Sequence, residues 1–415
     1  MSTTDRVDAF TRWVATLAVN PFLPLCLAAC GILVALALLP FLAELPNYLE
    51  TAKTLAEGNW LPANHFAPVG YSLLLSPFVG VFGEAGVVVL QAPLYVISVW
   101  LAWTLLRRAE IAPLLVAAGT LIVACHPYLL LNIQRVNDNA VNVALVLVLL
   151  LHLLSNRPLP SPGAAIGAGL TLGLFWTIRP NAAVFALLAL TTLLLGRVRR
   201  PGASRVLLLY GAAVAAWLAV SLLATGTPFF TPRNGPYNLF AGNNPYSAGY
   251  LLEFFNAEQS ILPGLRDYGI TVADPHALDG RTYVELAIDF VTHQPIEALY
   301  LLLVKGWILL GPDLSHSDNL AETLIQTGLA LPLPIWLAVL ALSWRTVPGS
   351  VTLSFVLFVL LFIGPFIAIT ADPRFRLPLD VALVIDTIVR VDALWLRRAE
   401  RSQGIDHSRK GSRQS

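Results

Sequence analysis

The sequence predicts an all-α polytopic membrane protein, a bundle of about ten transmembrane helices, and three observations carry that expectation. Hydrophobic residues make up 56% of the 415-residue chain and charged ones 12%, against about 25% charged in soluble domains. Apolar runs approaching the roughly 20 residues of a span recur along it, at about 21–43, 86–106, 112–131, 139–154, 163–178, 181–196, 206–224, 323–343, 350–370 and 377–396. Lys and Arg, finally, concentrate on one side of those runs.

Several runs are short, so tilt or continuation into the flanking loops is expected. With the N-terminus inside, the inner side collects Arg107, Arg108, Arg197 to Arg205, Arg345 and the Arg-rich tail. The outer side keeps fewer cations, among them Lys53, Arg135, Arg179, Arg374 and Arg376. Ile296–Leu310 is apolar enough to be an eleventh span, but counting it would reverse everything after it. A re-entrant helix, or one packed on the outer face, fits the charge distribution better. Val69–Phe82 is short for a span and is interrupted by Pro77.

Repeated spans pack as one unit, so a single domain is expected over 1–396, with outer loops at about 44–68 and 225–322. Residues 397–415 read as a basic cytoplasmic tail. The first apolar run is long enough to remain as an anchor, so no cleaved leader is expected. Cys26, Cys30 and Cys125 lie in or at the end of apolar runs and read as small buried residues. A net charge of +1 does not point to a nucleic-acid partner. The lipid bilayer is the expected surrounding, with both termini cytoplasmic in a cell inner membrane.

The first outer loop is the most informative stretch. Pro46 suits the first position of a helix and Gly58 the residue past its end, with Leu49, Ala52, Leu55 and Ala56 on one face. Glu44 falls just before that helix, where a carboxylate either serves chemistry or complements the helix dipole. In the long outer loop, GNNPYSAGY (Gly242–Tyr250) is rich in turn residues. An amphipathic helix follows, with Tyr283, Leu286, Ala287, Phe290 and Val291 on one face.

Ionisable residues at the membrane are costly and often functional. Asp138, in QRVNDNAVN, either carries chemistry or caps a helix together with Asn137. Arg374 and Arg376, in DPRFRLPLD, share one side of an extended segment and so suit a phosphate, or they snorkel to lipid headgroups. Arg179, in TIRPNAAV, is an interfacial anchor or a phosphate contact. His65 is the one histidine placed to meet Glu44, although a lone histidine is more often structural. The seven histidines show no metal-ligand spacing. No glycine-rich phosphate loop or Ser–His–Asp grouping occurs, so an activated substrate would arrive within the membrane.

An ordered set of segments resembles the GT-C superfamily of membrane glycosyltransferases, most in the style of its protein-mannosyltransferase and aminoarabinose-transferase branches. The segments are ELPNYLETAKTLAEGNW (Glu44–Trp60), APVGYSLLLSPFVGVFG (Ala67–Gly83), NDNAVNVAL (Asn137–Leu145), GLFWTIRPNAAV (Gly173–Val184), NLFAGNNPYSAGY (Asn238–Tyr250) and RFRLPL (Arg374–Leu379). The resemblance implies an inverting transfer of a sugar from a polyprenyl-phosphate donor to a glycan, lipid or protein acceptor at the outer face. It implies catalytic roles for Glu44 and Asp138, and donor-phosphate binding by Arg374, Arg376 and Arg179. Tyr48, His65, Tyr71 and Asn243 become candidate substrate contacts, and a divalent metal remains an open element of the site. The chain departs from the family pattern in having Glu44 where Asp is usual, and in flanking Asp138 with asparagines and no second carboxylate. A transporter, or a non-catalytic binder of lipid-linked sugar, is the alternative.

Overall fold

The computed structural model describes residues 12–38, 46–59, 68–153, 162–179, 203–225, 234–249, 260–311, 330–369 and 371–402, except positions 14, 276, 277, 348 and 372. These residues are almost entirely helical, and no β-sheet forms among them. In chain order the helices are α1 (Phe22–Leu38), α2 (Pro46–Ala56), α3 (Val69–Phe82), α4 (Gly86–Arg108), α5 (Pro113–Ala124), α6 (Pro127–Leu131), α7 (Asn139–Leu153) and α8 (Pro162–Ile178). There follow α9 (Ala203–Thr225), α10 (Asn234–Ala241), α11 (Ile261–Asp267), α12 (Gly280–His293), α13 (Pro295–Leu310), α14 (Pro332–Ser343), α15 (Gly349–Ala368) and α16 (Leu377–Ser402).

Leu33, Leu170, Leu223, Leu303, Leu342 and Leu360 face outward, as expected where lipid replaces water around a bundle. By length and composition, 69–108 and 351–368 can cross a membrane among the described residues. Two bent pairs do so if each counts as one span: 113–124 with 127–134, bent 50°, and 280–293 with 295–310, bent 109°. That is fewer than the ten expected, because α1, α7, α8, α9 and α14 contribute shorter apolar stretches. The expected run at 181–196 lies outside the described residues.

Residues 69–108 do not form one rod. Gln91 Nε2 donates to the Tyr71 hydroxyl at 2.8 Å. Twenty residues of straight helix would separate that pair by about 30 Å. The chain therefore folds back at the 3₁₀ turn Gly83–Ala85, and α3 packs against α4. Beneath α3 lies α2, which begins at Pro46 and is followed by Gly58 at φ +82°, as its sequence predicts. At the other end α3 crosses α8, where a Cβ on Gly70 would lie 2.6 Å from the Thr177 carbonyl. This close approach sets the end of α8 beside the start of α3.

One large core joins α1 to α8 with α13 to α16, and a second, smaller one holds α10, α11 and α12 together. In that smaller unit Tyr237 and Phe240 pack on Tyr283, whose hydroxyl donates to the Pro275 carbonyl. Burial, with Tyr283 and Asp274 nearby, pushes the Tyr237 phenol up from its ordinary range. On α12, Tyr283, Ala287 and Phe290 are buried as expected, but Val291 is 44% exposed: the buried stripe is narrower than the sequence pattern. The three cysteines are exposed and not buried, since a lipid-facing helix surface is as apolar as its core face. Finally, α16 runs to Ser402, so the first residues of the expected tail are helical.

Candidate functional site

Three chain segments converge on Asp138: the start of α7, the end of α8 and the 3₁₀ turn Pro373–Arg376 ahead of α16. Asn137 and Asp138 divide the two roles that the sequence left open. The Asn137 side chain accepts the Asn139 amide at 3.1 Å and so acts as the cap. Asp138 is thereby released from capping. Fully buried, its Oδ1 accepts Arg179 Nη2 at 2.7 Å. The same Nη2 reaches Asn139 Oδ1 at 3.2 Å. The Arg179 guanidinium lies 4.7 Å over the Phe375 ring, which in turn stacks on Phe366 with centroids 4.9 Å apart. Among the described residues Asp138 Oδ2, itself buried, has no hydrogen-bond partner. A buried carboxylate with one oxygen held by a cation and the other unpaired retains unused acceptor capacity.

Gln91, from the second turn of α4, braces this centre. Its Nε2 reaches the carbonyl of Asn137 at 2.7 Å and that of Arg135 at 3.3 Å, as well as the Tyr71 hydroxyl. Tyr71 packs edge-on against Tyr48, with centroids 5.2 Å apart, and Ser72 bonds the Tyr48 carbonyl at 3.0 Å. Both tyrosines are buried, and so support the site from behind.

Arg376 sits differently from the expectation. Residues 373–376 form a 3₁₀ turn and not an extended segment, so positions two apart no longer share a face. Arg376 is 1% exposed, donates Nε to Asp380 at 3.0 Å, and donates Nη1 to the Leu309 carbonyl at 2.9 Å. It therefore ties α13 to α16. One turn earlier on α13, Lys305 Nζ is buried among the Gly242 carbonyl at 3.1 Å, Asn243 Oδ1 at 2.9 Å and the Ala368 carbonyl at 3.3 Å. Asn243 returns hydrogen bonds to the Leu239 and Ala368 carbonyls at 2.7 and 3.0 Å. This clamp fixes the small unit of α10, α11 and α12 to the C-terminal end of α15, whose dipole favours a cation.

The structure thus brings Asp138 and Arg179 together, and joins them to the turn that holds Arg374 and Arg376. Tyr48, Tyr71 and Asn243 are placed in packing and clamping positions. Glu44, His65 and the Arg374 side chain lie outside the described residues. Sequence reasoning missed Gln91, Lys305 and Asp380, although a lone polar residue in VVVLQAPLY or LLLVKGWILL is a visible signal. It also missed Asp386 and Arg390 on α16. Arg390 Nε bonds Asp386 Oδ2 at 2.5 Å, and Trp336 Nε1 donates to the same oxygen at 2.7 Å. Among the described residues no three His, Cys, Asp or Glu side chains gather to hold a metal.

No known family profile matches the sequence, and no curated protein does. Solved structures do. One is the archaeal oligosaccharyltransferase AglB of Archaeoglobus fulgidus in complex with an inhibitory peptide and a dolichol-phosphate, at TM-score 0.45 and 14% identity, over 91% of this chain and 52% of that one. Another is the same organism's oligosaccharyltransferase tethered to an acceptor peptide, at TM-score 0.48 and 15% identity, over 93% of this chain and 51% of that one. The apo form scores 0.45 at 15% identity. The chain spans about half the length of these proteins.

Proposed function

We propose that this protein is a membrane glycosyltransferase that moves a sugar from a polyprenyl-phosphate donor to a glycan, lipid or protein acceptor at the outer face of an inner membrane. The observation that carries the reading is the buried Asp138–Arg179 pair, in which Asp138 Oδ2 is unpaired among the described residues. The acceptor hydroxyl attacks the anomeric carbon, the bond from that carbon to the phosphate oxygen breaks, and polyprenyl phosphate departs. The attacking proton passes to a carboxylate, Asp138 or Glu44, and the configuration inverts. Arg179, with Arg374, stabilises the departing charge. Arg376 is assigned to positioning, because its guanidinium is committed to Asp380 and to the end of α13. The ordered sequence resemblance supports the donor class.

A second reading, transport without chemistry, draws on one observation. The Asp386–Arg390 pair is buried well inside α16, about 14 Å along the helix from Leu377. The deciding measurement is release of polyprenyl phosphate from a panel of lipid-linked sugars, using wild type, Asp138→Asn and Arg179→Met in membranes with envelope extract as acceptor. Release with one donor, lost in both variants, supports transfer. Donor crossing the membrane with no release, by a protein shown to be folded, would establish transport instead.

A further inference from the structure

Helix α16 starts just after the turn whose Phe375 meets Arg179, and it is long enough to reach the far side of a bilayer. From Leu377 to Arg397 the axial rise is about 30 Å, which matches the hydrocarbon thickness. The charged residues along that length do not face lipid: Asp380, Asp386, Arg390 and Asp392 are all buried. They hold Arg376, one another and the Ala112 amide, the last at 2.9 Å from Asp392 Oδ1. That bond sets the turn between α4 and α5 beside α16, so Arg107 and Arg108 reach the same end of the bundle. The end of α14 is there too. Arg397 Nη1 donates to the Arg345 carbonyl at 3.3 Å and to Thr346 Oγ1 at 3.0 Å.

This end is basic and amphipathic at once. Segments 107–112, 344–347 and 395–400 together carry five arginines and two glutamates. Trp344 and Trp395 are 60% and 56% exposed, and Leu342 and Leu396 are exposed close by in the chain. Large apolar side chains bared beside arginines suit a boundary between hydrocarbon and water, not a face for a soluble acidic partner. Tryptophan settles at the headgroup level of a bilayer. Arginine beside it draws lipid phosphate, which a guanidinium grips as a fork. The Arg397 guanidinium is oriented by the turn after α14 through Nη1, and its Nε and Nη2 carry further N–H groups. Arg345 and Arg398 are exposed.

We propose that the ends of α14 and α16 form a binding surface for an anionic phospholipid in the leaflet opposite the Asp138 centre. Arg345, Arg397 and Arg398 take its headgroup, with Trp344 and Trp395 at headgroup depth. The positive charge of Arg107 and Arg108 extends the same surface. A bilayer lipid fits both halves of this surface, because its phosphate meets the arginines and its acyl chains cover the leucines. With the Asp138 centre at the outer face, this leaflet is the cytoplasmic one, which carries the negative surface potential. The inference stands on the contact between α14 and α16 and does not depend on the transferase chemistry.

The full chain is reconstituted into phosphatidylcholine bilayers, and its tryptophan fluorescence is quenched with brominated phosphatidylglycerol or brominated phosphatidylcholine. The anionic quencher is expected to act at a mole fraction about fivefold lower, the ratio that one arginine near a charged surface supplies. The preference should shrink toward one at about 0.5 M salt, where screening is stronger. It should vanish in Arg345→Gln/Arg398→Gln, a pair of exposed substitutions that leaves Arg397 on the turn after α14. Arg397→Gln should abolish it as well, and the exposed pair carries the test should Arg397→Gln fail to fold. Trp344→Phe/Trp395→Phe should remove the selective quenching, while the other tryptophans are quenched alike by both lipids. Equal quenching of the wild type by the two lipids would overturn the proposal. So would a preference that survives the arginine pair or the tryptophan pair. Asp138→Asn should keep the preference, so loss of turnover at that centre and loss of lipid selectivity here are read separately.

Discussion

Lys305 and Asp138 are both buried charges, and they are treated in different ways. Lys305 is surrounded by oxygen: two backbone carbonyls and a carboxamide lie within 3.3 Å of its ammonium. Asp138 is equally buried, yet one oxygen is paired and the other is not, and unpaired amides adjoin it. Burial is costly for both groups. Lys305 recovers that cost within the fold and holds two units together. Asp138 recovers it in part, through Arg179. Asp380 shares that condition, with one oxygen on Arg376 and the other unpaired among the described residues, so the contrast lies in place: Lys305 fastens two packed units, whereas Asp138 stands where three chain segments meet.

That division predicts which changes cost chemistry and which cost stability. Asp138→Asn should lower the rate of donor turnover by about 10²- to 10⁴-fold, the usual weight of a proton-accepting carboxylate. Its melting temperature in detergent should fall by only a few degrees, because Arg179 loses its counter-charge while the amide keeps the shape and one acceptor. A large loss of stability without loss of turnover per folded molecule would place Asp138 with Lys305, as architecture. Arg376→Met tests the opposite class. It leaves the Asp380 carboxylate buried without its cation, and should destabilise the protein by about 3–5 kcal/mol by thermal or denaturant unfolding. Donor binding by the fraction that remains folded should be nearly normal.

The helical class, the limits of α2 and most of the buried stripe of α12 were legible in the sequence, and Asp138 stood out there as a charge beside an apolar run. Each depends on local periodicity or on a charged residue beside an apolar run. What was not legible depends on distant contacts. Asp138 and Arg179 are 41 residues apart, and nothing in either motif announces the pairing. The assignment of the cap to Asn137 and not to Asp138 depends on that same pairing. Arg374 and Arg376 were read as a phosphate fork on the assumption of an extended backbone, which the 3₁₀ turn removes. Glycine's freedom at residue 249 has its reason in a lysine 56 positions later.

Lys305→Met sharpens the contrast on a smaller scale. It strips the cation from the Gly242 carbonyl and Asn243 Oδ1, and should cost about 1–3 kcal/mol of stability. The loss should be read first in the unit formed by α10, α11 and α12, as faster amide exchange there than in α7 or α16.

Gly249→Ala should act on the same clamp, more gently and without removing any polar group. Gly249 sits at φ +81°, and a Cβ there would lie 2.9 Å from Lys305 Cγ. The left-handed backbone alone costs a non-glycine residue about 1–2 kcal/mol. The contact falls on the stem of a side chain whose far end is held by carbonyls, so Lys305 cannot swing aside without giving up hydrogen bonds. The Gly249 carbonyl also accepts the Ala371 amide at 3.2 Å, so a shift of this loop reaches the turn that carries Phe375. The expected result is a drop of a few degrees in melting temperature, with faster exchange at Gly242 and Asn243 and no change at Asn142. Matched protection at both sites would mean that the clamp and the Asp138 centre open as one unit, and the distinction between them would fail.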